Sequence, residues 1–456
     1  MYRYILEDKR HVLPFNQPAS ELTIGTQVLR LFHEELFASA FQGKIELGNT
    51  LEYRQYREQL PAITPDQPAI VYRDSLWFDH EFLAYFLERA QNSGRACRAA
   101  IPPDDKAYNS YTLPLSNSFD KGTDEDGNPV YLVDLWYFPE GYTDEQLAVT
   151  VPSGWQEKGF YSVPEFMAQN RGDLTHYLPE RAMVSVESWV HIYYASVIFG
   201  VFTKGSRFEE YIKKHNFFAL RLLWRAIIEQ KQILTTSKVV VVGKDTIIDP
   251  SAIINGPTVI GNNCVIGPGV VIDNCQIGDN VNISQGCQLM LSTVGNHCFL
   301  PFRANLFMTS MMEETIVAQN TCLQMCVIGR NSFVGAGSTF TDFNLVGEGD
   351  GHGNEIPRPI KATDINGNIG NAGQVVLGSA IGHNCRIGAG MVVFPGRMIE
   401  SDVILVASPQ RRVVSRNITW EESDHHAFNI PGMMHKRKYP RRDEEEENAA
   451  ENWSAW

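Results

Sequence analysis

The chain has 456 residues, 43% of them apolar and 20% charged, which is ordinary for a folded protein and long enough for two or three domains. A formal net charge of −14 argues against a general affinity for nucleic acid, whose binding faces need lysine and arginine in excess. No apolar run reaches membrane-span length: the nearest, Trp189 to Phe202, covers roughly fourteen residues and reads as a buried helix.

The start of the chain carries Glu7, Asp8, Lys9 and Arg10 rather than the apolar core of a secretory signal, so a cytoplasmic protein is expected. Tyr2, Tyr4 and Leu6 alternate as a first strand, and Val28 to Ala40 has helical spacing. Ala69 to Tyr72 reads as a strand, Phe82 to Ala90 as a helix stopped by Asn92-Ser93-Gly94, and Ala96 to Ile101 as the next strand. Val130 to Leu135 follows a turn at Asp126-Gly127-Asn128-Pro129. Strands alternating with helices predict a partly parallel sheet. Two helical stretches, Ser188 to Phe202 and Phe208 to Gln232, lead to Lys238–Val242.

From Ile248 the pattern changes. Ile254, Ile260, Ile266 and Ile272 recur at intervals of six, followed after a five-residue step by Ile277, Ile283 and Leu289, and after another by Val294, Leu300 and Leu306. Four places behind most of them stands a small or medium side chain such as Cys264, Val270, Cys287, Thr293 or Cys298. Both sets must point inward, while Gly, Asn and Asp fill corners that turn through left-handed backbone. The period resumes at Ile328, Val334 and Phe340, breaks, and returns at Ile381, Ile387, Val393 and Ile399. Neither a helix nor an ordinary sheet has this period; it predicts a hexapeptide β-helix of about seven coils. Seven of the eight cysteines fall in this half, spaced by coils rather than as metal-binding pairs, so buried thiols and no metal site are expected.

The expected organisation is an α/β domain over 1–182, a helical connector over 183–237, a β-helix over 238–412 with an excursion at 346–371, and a charged tail over 413–456. That tail holds Lys436-Arg437-Lys438, Arg441-Arg442 and the acidic run Asp443 to Glu447.

An α/β domain followed by a left-handed parallel β-helix resembles the bifunctional N-acetylglucosamine-1-phosphate uridylyltransferases that also acetylate glucosamine-1-phosphate. The resemblance rests on Ile328-Gly329-Arg330-Asn331, Gly335-Ala336-Gly337, the excursion from Val346 to Asn371, and Ile381-Gly382-His383-Asn384 with Gly388-Ala389-Gly390 and Pro395-Gly396. It implies acyl-CoA, typically acetyl-CoA, bound between subunits of a homotrimer, a histidine base, and a sugar phosphate or nucleotide sugar as substrate. The N-terminal half departs from it. Glu7-Asp8-Lys9-Arg10 stands where those enzymes carry a Gly-rich nucleotide loop, and Ala19 where a lysine is expected. Asp74 is similar in position to their metal-binding aspartate, but one carboxylate does not make a magnesium site. In the β-helix the expected histidine is Gln319, the expected asparagine is Asp342 and the tyrosine beside it is Phe343.

Glutamine cannot take a proton, so the acceptor differs, another histidine acts as base, or the site no longer transfers acyl groups. His352 in the Gly-rich excursion is the first candidate and His383 at a coil corner the second. Arg303 and Arg330, the fixed positive charges between Thr246 and Leu345, would hold an acceptor together with Asp342. Ala336, Gly337, Ala389 and Gly390 leave room for a pantetheine arm, and Arg411 would meet CoA phosphate. Two readings remain open: an acyl-CoA-dependent transferase, and a non-catalytic sugar-nucleotide sensor or assembly scaffold. Neither involves nucleic acid or a membrane.

Overall fold

The computed structural model describes residues 1–63, 67–159, 175–349, 351, 355–427, 435 and 437–441. The chain forms two compact units. Unit 1 comprises Met1–Lys9, Ala19–Glu21 and Leu29–Glu187; unit 2 comprises Arg10–Pro18, Leu22–Val28 and Ser188–Trp456. The segment Arg10–Pro18 therefore belongs with the repeats rather than with the α/β domain in which its sequence position placed it.

In unit 1 the strands lie in the order Leu147–Thr150, Cys97–Ile101, Pro129–Phe138, Ala69–Arg73, Tyr2–Glu7, Glu46–Glu52. Pro129–Phe138 runs antiparallel to both neighbours, and the remaining pairs along this path are parallel. Every residue of Ala69–Arg73 is buried, as a central strand covered on both faces requires. Helix His80–Ser93 begins where the Asp79 carboxylate accepts the Phe82 N–H at 2.8 Å and ends at Gly94, whose φ of +63° reverses the chain. Its buried stripe, Phe82, Leu83, Phe86, Leu87 and Ala90, joins Phe37, Phe78 and Val133 in the core.

Unit 2 is a left-handed parallel β-helix built from three eight-stranded parallel sheets. The first sheet runs from Val240–Val242 to Met398–Ile399, the second from Ile247–Ile248 to Ile404–Leu405, and the third from Ile253–Asn255 to Val413–Val414. There are eight levels rather than about seven: the second and third sheets, which begin at Ile247–Ile248 and Ile253–Asn255, each hold eight strands, and the last of them, Val413–Val414, lies beyond the final periodic residues. The periodic Ile, Val, Leu and Phe residues from Ile254 to Ile399 form one buried column, with Ile248 partly exposed at its open end. The small residues four places behind have a polar task as well. The Cys264 thiol donates to the Gly278 carbonyl at 3.1 Å, Cys298 to Met312 at 3.1 Å, and the Thr315 hydroxyl to Gly329 at 2.9 Å. Each reaches a corner carbonyl one coil further on, which explains why Cys, Ser and Thr share these places. All eight cysteines are free thiols.

The helix begun at Trp189–Tyr193 continues, more widely wound, through Tyr194–Thr203, and every residue of both parts is buried. The following helical stretch is two helices, Lys204–Lys214 and Asn216–Glu229, because His215 adopts φ −120° and ψ 82°. Among the described residues, no helix is long and apolar enough to cross a membrane.

Candidate functional site

The left-handed corners stack into three edges, and these decide which side chains can meet. The edge between the first and second sheets carries Asn263, Asn280, His297, Glu314, Asn331, Asn384 and Asp402, all with φ between 52° and 66°. The edge between the second and third carries Gly269, Gly286, Arg303, Asn320, Gly337 and Gly390, with φ between 55° and 70°. The edge between the third and first carries Asn274, Leu291, Met308 and Met325, and the excursion leaves the coil there.

On the second edge the structure gathers one group of candidates. The Gly337 N–H donates to Gln319 O at 3.0 Å, and Gly390 N–H to Ala336 O at 2.9 Å, so Gln319, Ala336, Gly337 and Gly390 climb one corner in successive coils. A Cβ placed on Gly337 or Gly390 would meet nothing within 4 Å, and Ala389 beside Gly390 is exposed. The result is a smooth ledge, with Arg303 exposed one level below Asn320. Arg411 is engaged nearby in the chain: its guanidinium holds the Asp424 carboxylate and the Glu422 carbonyl.

Arg330 and His383 sit on the first edge instead. The Arg330 N–H donates to His383 Nδ1 at 2.9 Å, while its side chain pairs with Glu313 at 2.8 Å and donates to Gln17 Oε1 at 3.2 Å. His383 is 0% exposed, with Phe15 and Tyr439 rings at 5.0 and 4.7 Å. Burial, helped by the Arg330 charge, pushes its pKa well below the usual imidazole range. This corrects the reading of His383 as a base: a ring sealed by both ends of the chain cannot reach a diffusing acceptor. It serves instead to lock the corner. The segment Arg10–Pro18 closes this edge, since Pro14 O accepts from Ser401 N–H at 3.0 Å and Asn16 donates to Glu400 at 2.8 Å. Tyr439 N–H caps Asp402 at 2.9 Å, and burial lifts that carboxyl to about 6.

Asp342 lies on the third edge, at the foot of the excursion. Its carbonyl accepts the Leu377 N–H at 2.7 Å, which closes the loop, and the Gln324 amide, suitably oriented, donates to its carboxylate oxygens at 3.0 and 2.9 Å. Burial raises its pKa. His352 lies outside the described residues. The sequence singled out Asp342 but missed Gln324, whose role depends on the coil before it being stacked alongside.

Unit 1 gathers a second set of ionisable groups that only Asp74 announced in the sequence. Arg73 is 0% exposed and faces Asp134 at 3.5 Å, Glu187 at 3.6 Å and Asp8 at 4.0 Å, with Tyr53 against its guanidinium at 4.7 Å. Asp134 is also held by Arg98 at 2.8 Å. These carboxylates thus carry their own cations. Asp74 accepts the Asp8 N–H at 2.9 Å, and burial raises its carboxyl to about 7, which is unlike a metal-ready carboxylate. Among the described residues, no group of three or more His, Cys, Asp or Glu side chains is arranged to hold a metal ion.

The bacterial transferase hexapeptide model, of six repeats, matches residues 240–274, the first coils of the β-helix. No curated protein matches the chain. The crystal structure of a candidate acetyltransferase from Bacillus cereus is similar, at 21% identity over 40% of this chain and 86% of its own, with a TM-score of 0.18. Fold and repeat together define a hexapeptide-repeat β-helix preceded by an α/β unit.

Proposed function

We propose that the protein is a hexapeptide-repeat acyltransferase that uses acyl-CoA, most simply acetyl-CoA, to modify a sugar phosphate or nucleotide sugar. The observation that carries this reading is the ledge of the second edge, where Gly337 and Gly390 leave open space in successive coils. An extended pantetheine arm along Ala336, Gly337, Ala389 and Gly390 would present its thioester to an acceptor held by a neighbouring subunit of a homotrimer. Arg303, exposed on the same edge, is available to CoA phosphate or acceptor, and Arg411 would join it by giving up its Asp424 partner.

In the reaction an acceptor amine or hydroxyl attacks the thioester carbonyl, the new C–N or C–O bond forms, and the C–S bond breaks to release CoA as its thiol. The acceptor's proton needs a base. Asp342 lies on a different edge from the ledge, so it is suited to take that proton from the neighbouring subunit that holds the acceptor; burial raises its affinity for a proton and Gln324 orients it. His352 is the candidate that the sequence supplies.

The test is CoA release over a panel of acceptor sugars with wild type, Asp342→Asn, His352→Ala and Gln319→His. Loss of a general base lowers the rate by about 10² to 10⁴, so Asp342→Asn should fall by that factor while binding of CoA is retained. Wild-type inactivity with every acyl-CoA, together with gain of activity in Gln319→His, would instead favour the sensor or scaffold. The carboxylates around Arg73, each facing that internal guanidinium, favour that second reading for unit 1.

A further inference from the structure

A cavity of about 250 Å³ lies where the excursion returns to the β-helix, lined by Asn344, Glu348, Arg358, Lys361, Pro395 and Arg397 among others. Three cations and one carboxylate face it. Among the described residues, neither arginine nor the lysine forms an ion pair with Glu348 or any other acid, and Arg397 Nε is buried with no hydrogen-bond partner. Like charges gathered without a counter-ion repel one another and cost stability unless something else pins them. Their mutual effect is visible in Arg397, whose pKa is lowered by burial and then by the charge of Arg358.

What pins them is the docking of the excursion. Lys361–Thr363 pairs antiparallel with Ile369–Asn371, and Ile360, Ala362 and Thr363 are buried. Ser188 Oγ donates to Thr363 O at 2.7 Å, Asn417 donates to Thr363 Oγ1 at 3.0 Å, and Tyr194 OH donates to Ala372 O at 2.6 Å. The Asn344 amide holds the Arg358 carbonyl at 3.2 Å. Gly396, at φ +71°, lets the coil turn come up against the excursion: a Cβ there would stand 2.2 Å from Lys361 O. That close approach brings Lys361 beside Arg397.

We propose that Arg358, Lys361 and Arg397 form a binding site for a phosphoryl group, the anion that their charge and fork-shaped donors match. The cavity holds a phosphate or diphosphate end with part of its carrier, and its charge and geometry do not depend on acyl transfer. Two carriers share this chemistry: the diphosphate of CoA and the phosphate of an acceptor sugar.

Titration calorimetry of the full chain with inorganic pyrophosphate at low ionic strength is the test. Wild type should bind, and Arg397→Gln and Arg358→Gln should each weaken binding about tenfold or more, the scale of one charge-assisted contact. Lys244→Gln, which removes one exposed positive charge elsewhere, should leave it unchanged. Gly396→Ala should also weaken it without altering charge, which keeps the test open if an arginine variant folds poorly. Displacement by CoA alone or by a hexose 1-phosphate alone identifies the carrier. No pyrophosphate binding, or equal affinity in wild type and Arg397→Gln with both folded, overturns the proposal. Binding without CoA release would leave the site standing and sink the transferase reading, and CoA release without binding would do the reverse.

Discussion

The motif Gly335-Ala336-Gly337 contains two glycines needed for different physical reasons, and replacing each by alanine separates them. Gly335 lies between the Phe333–Val334 strand and the corner, and a Cβ there would be 2.5 Å from both Ala389 N and Gly388 C in the next coil. Those are backbone atoms fixed by the ladder bond from Gly335 N–H to Ile387 O at 2.8 Å, so relief requires the coils to part by most of an ångström. Overpacking of this kind costs about 1–3 kcal/mol, and the rigid neighbour puts Gly335→Ala at the upper end, about 3 kcal/mol. Gly337 has φ +69° but open space around the missing Cβ, so Gly337→Ala bears only left-handed strain, about 1 kcal/mol. For a unit of this size each kcal/mol lowers Tm by about 2–4 °C, giving losses of about 6–12 °C and about 2–4 °C respectively. Differential scanning calorimetry, with urea midpoints as a second measure, reads both. Equal losses, or a larger loss for Gly337→Ala, would refute the assignment of Gly335 to coil stacking and Gly337 to corner geometry.

The outward residues of the second sheet include Ile247, Val265, Phe299, Ile316 and Phe333, between 36% and 67% exposed, an apolar ladder that a cyclic homotrimer would cover. Light scattering should give three times 51.3 kDa for wild type and a smaller mass for Phe333→Glu; a wild-type mass of one chain would count against it. Because burial raises the Asp74 carboxyl to about 7, the folded state holds its proton longer than the unfolded chain does, and this group lowers stability as pH rises from about 4 to 7. Asp74→Asn should therefore gain on wild type across that window and run parallel to it above; a gap that narrows with rising pH would show the sign to be wrong. With Arg73 among the unit 1 carboxylates and Glu7-Asp8-Lys9-Arg10 in place of a Gly-rich loop, no pyrophosphate release from a nucleoside triphosphate and a sugar 1-phosphate is expected, and robust release would contradict both observations.

The repeat half was legible because its determinants are local. A side chain every six residues and a left-handed corner such as Asn263 or Asn280 are set by the backbone geometry of one strand and one turn, so the inward column from Ile254 to Ile399 could be written down from spacing. The helices and strands of unit 1 were legible for the same reason wherever an apolar period or a stop such as Asn92-Ser93-Gly94 marked them, while the Asp79 cap emerged only in the structure. The stretch from Phe208 to Gln232 reads as one helix because periodicity does not register a single backbone break at His215.

What only the tertiary structure decided is the company each polar residue keeps. A corner histidine looks exposed in sequence, yet His383 is sealed by Phe15 from one end of the chain and Tyr439 from the other, and no local pattern encodes that meeting. Arg73 is an ordinary residue at a strand end until Asp8, Asp134 and Glu187 converge on it from separate elements. Arg358 and Lys361 lie in an aperiodic excursion and Arg397 in a distant coil. They become a site because hydrogen bonds and one close glycine contact fix the excursion's return, and the energy of such non-local contacts depends on distances that a sequence does not contain.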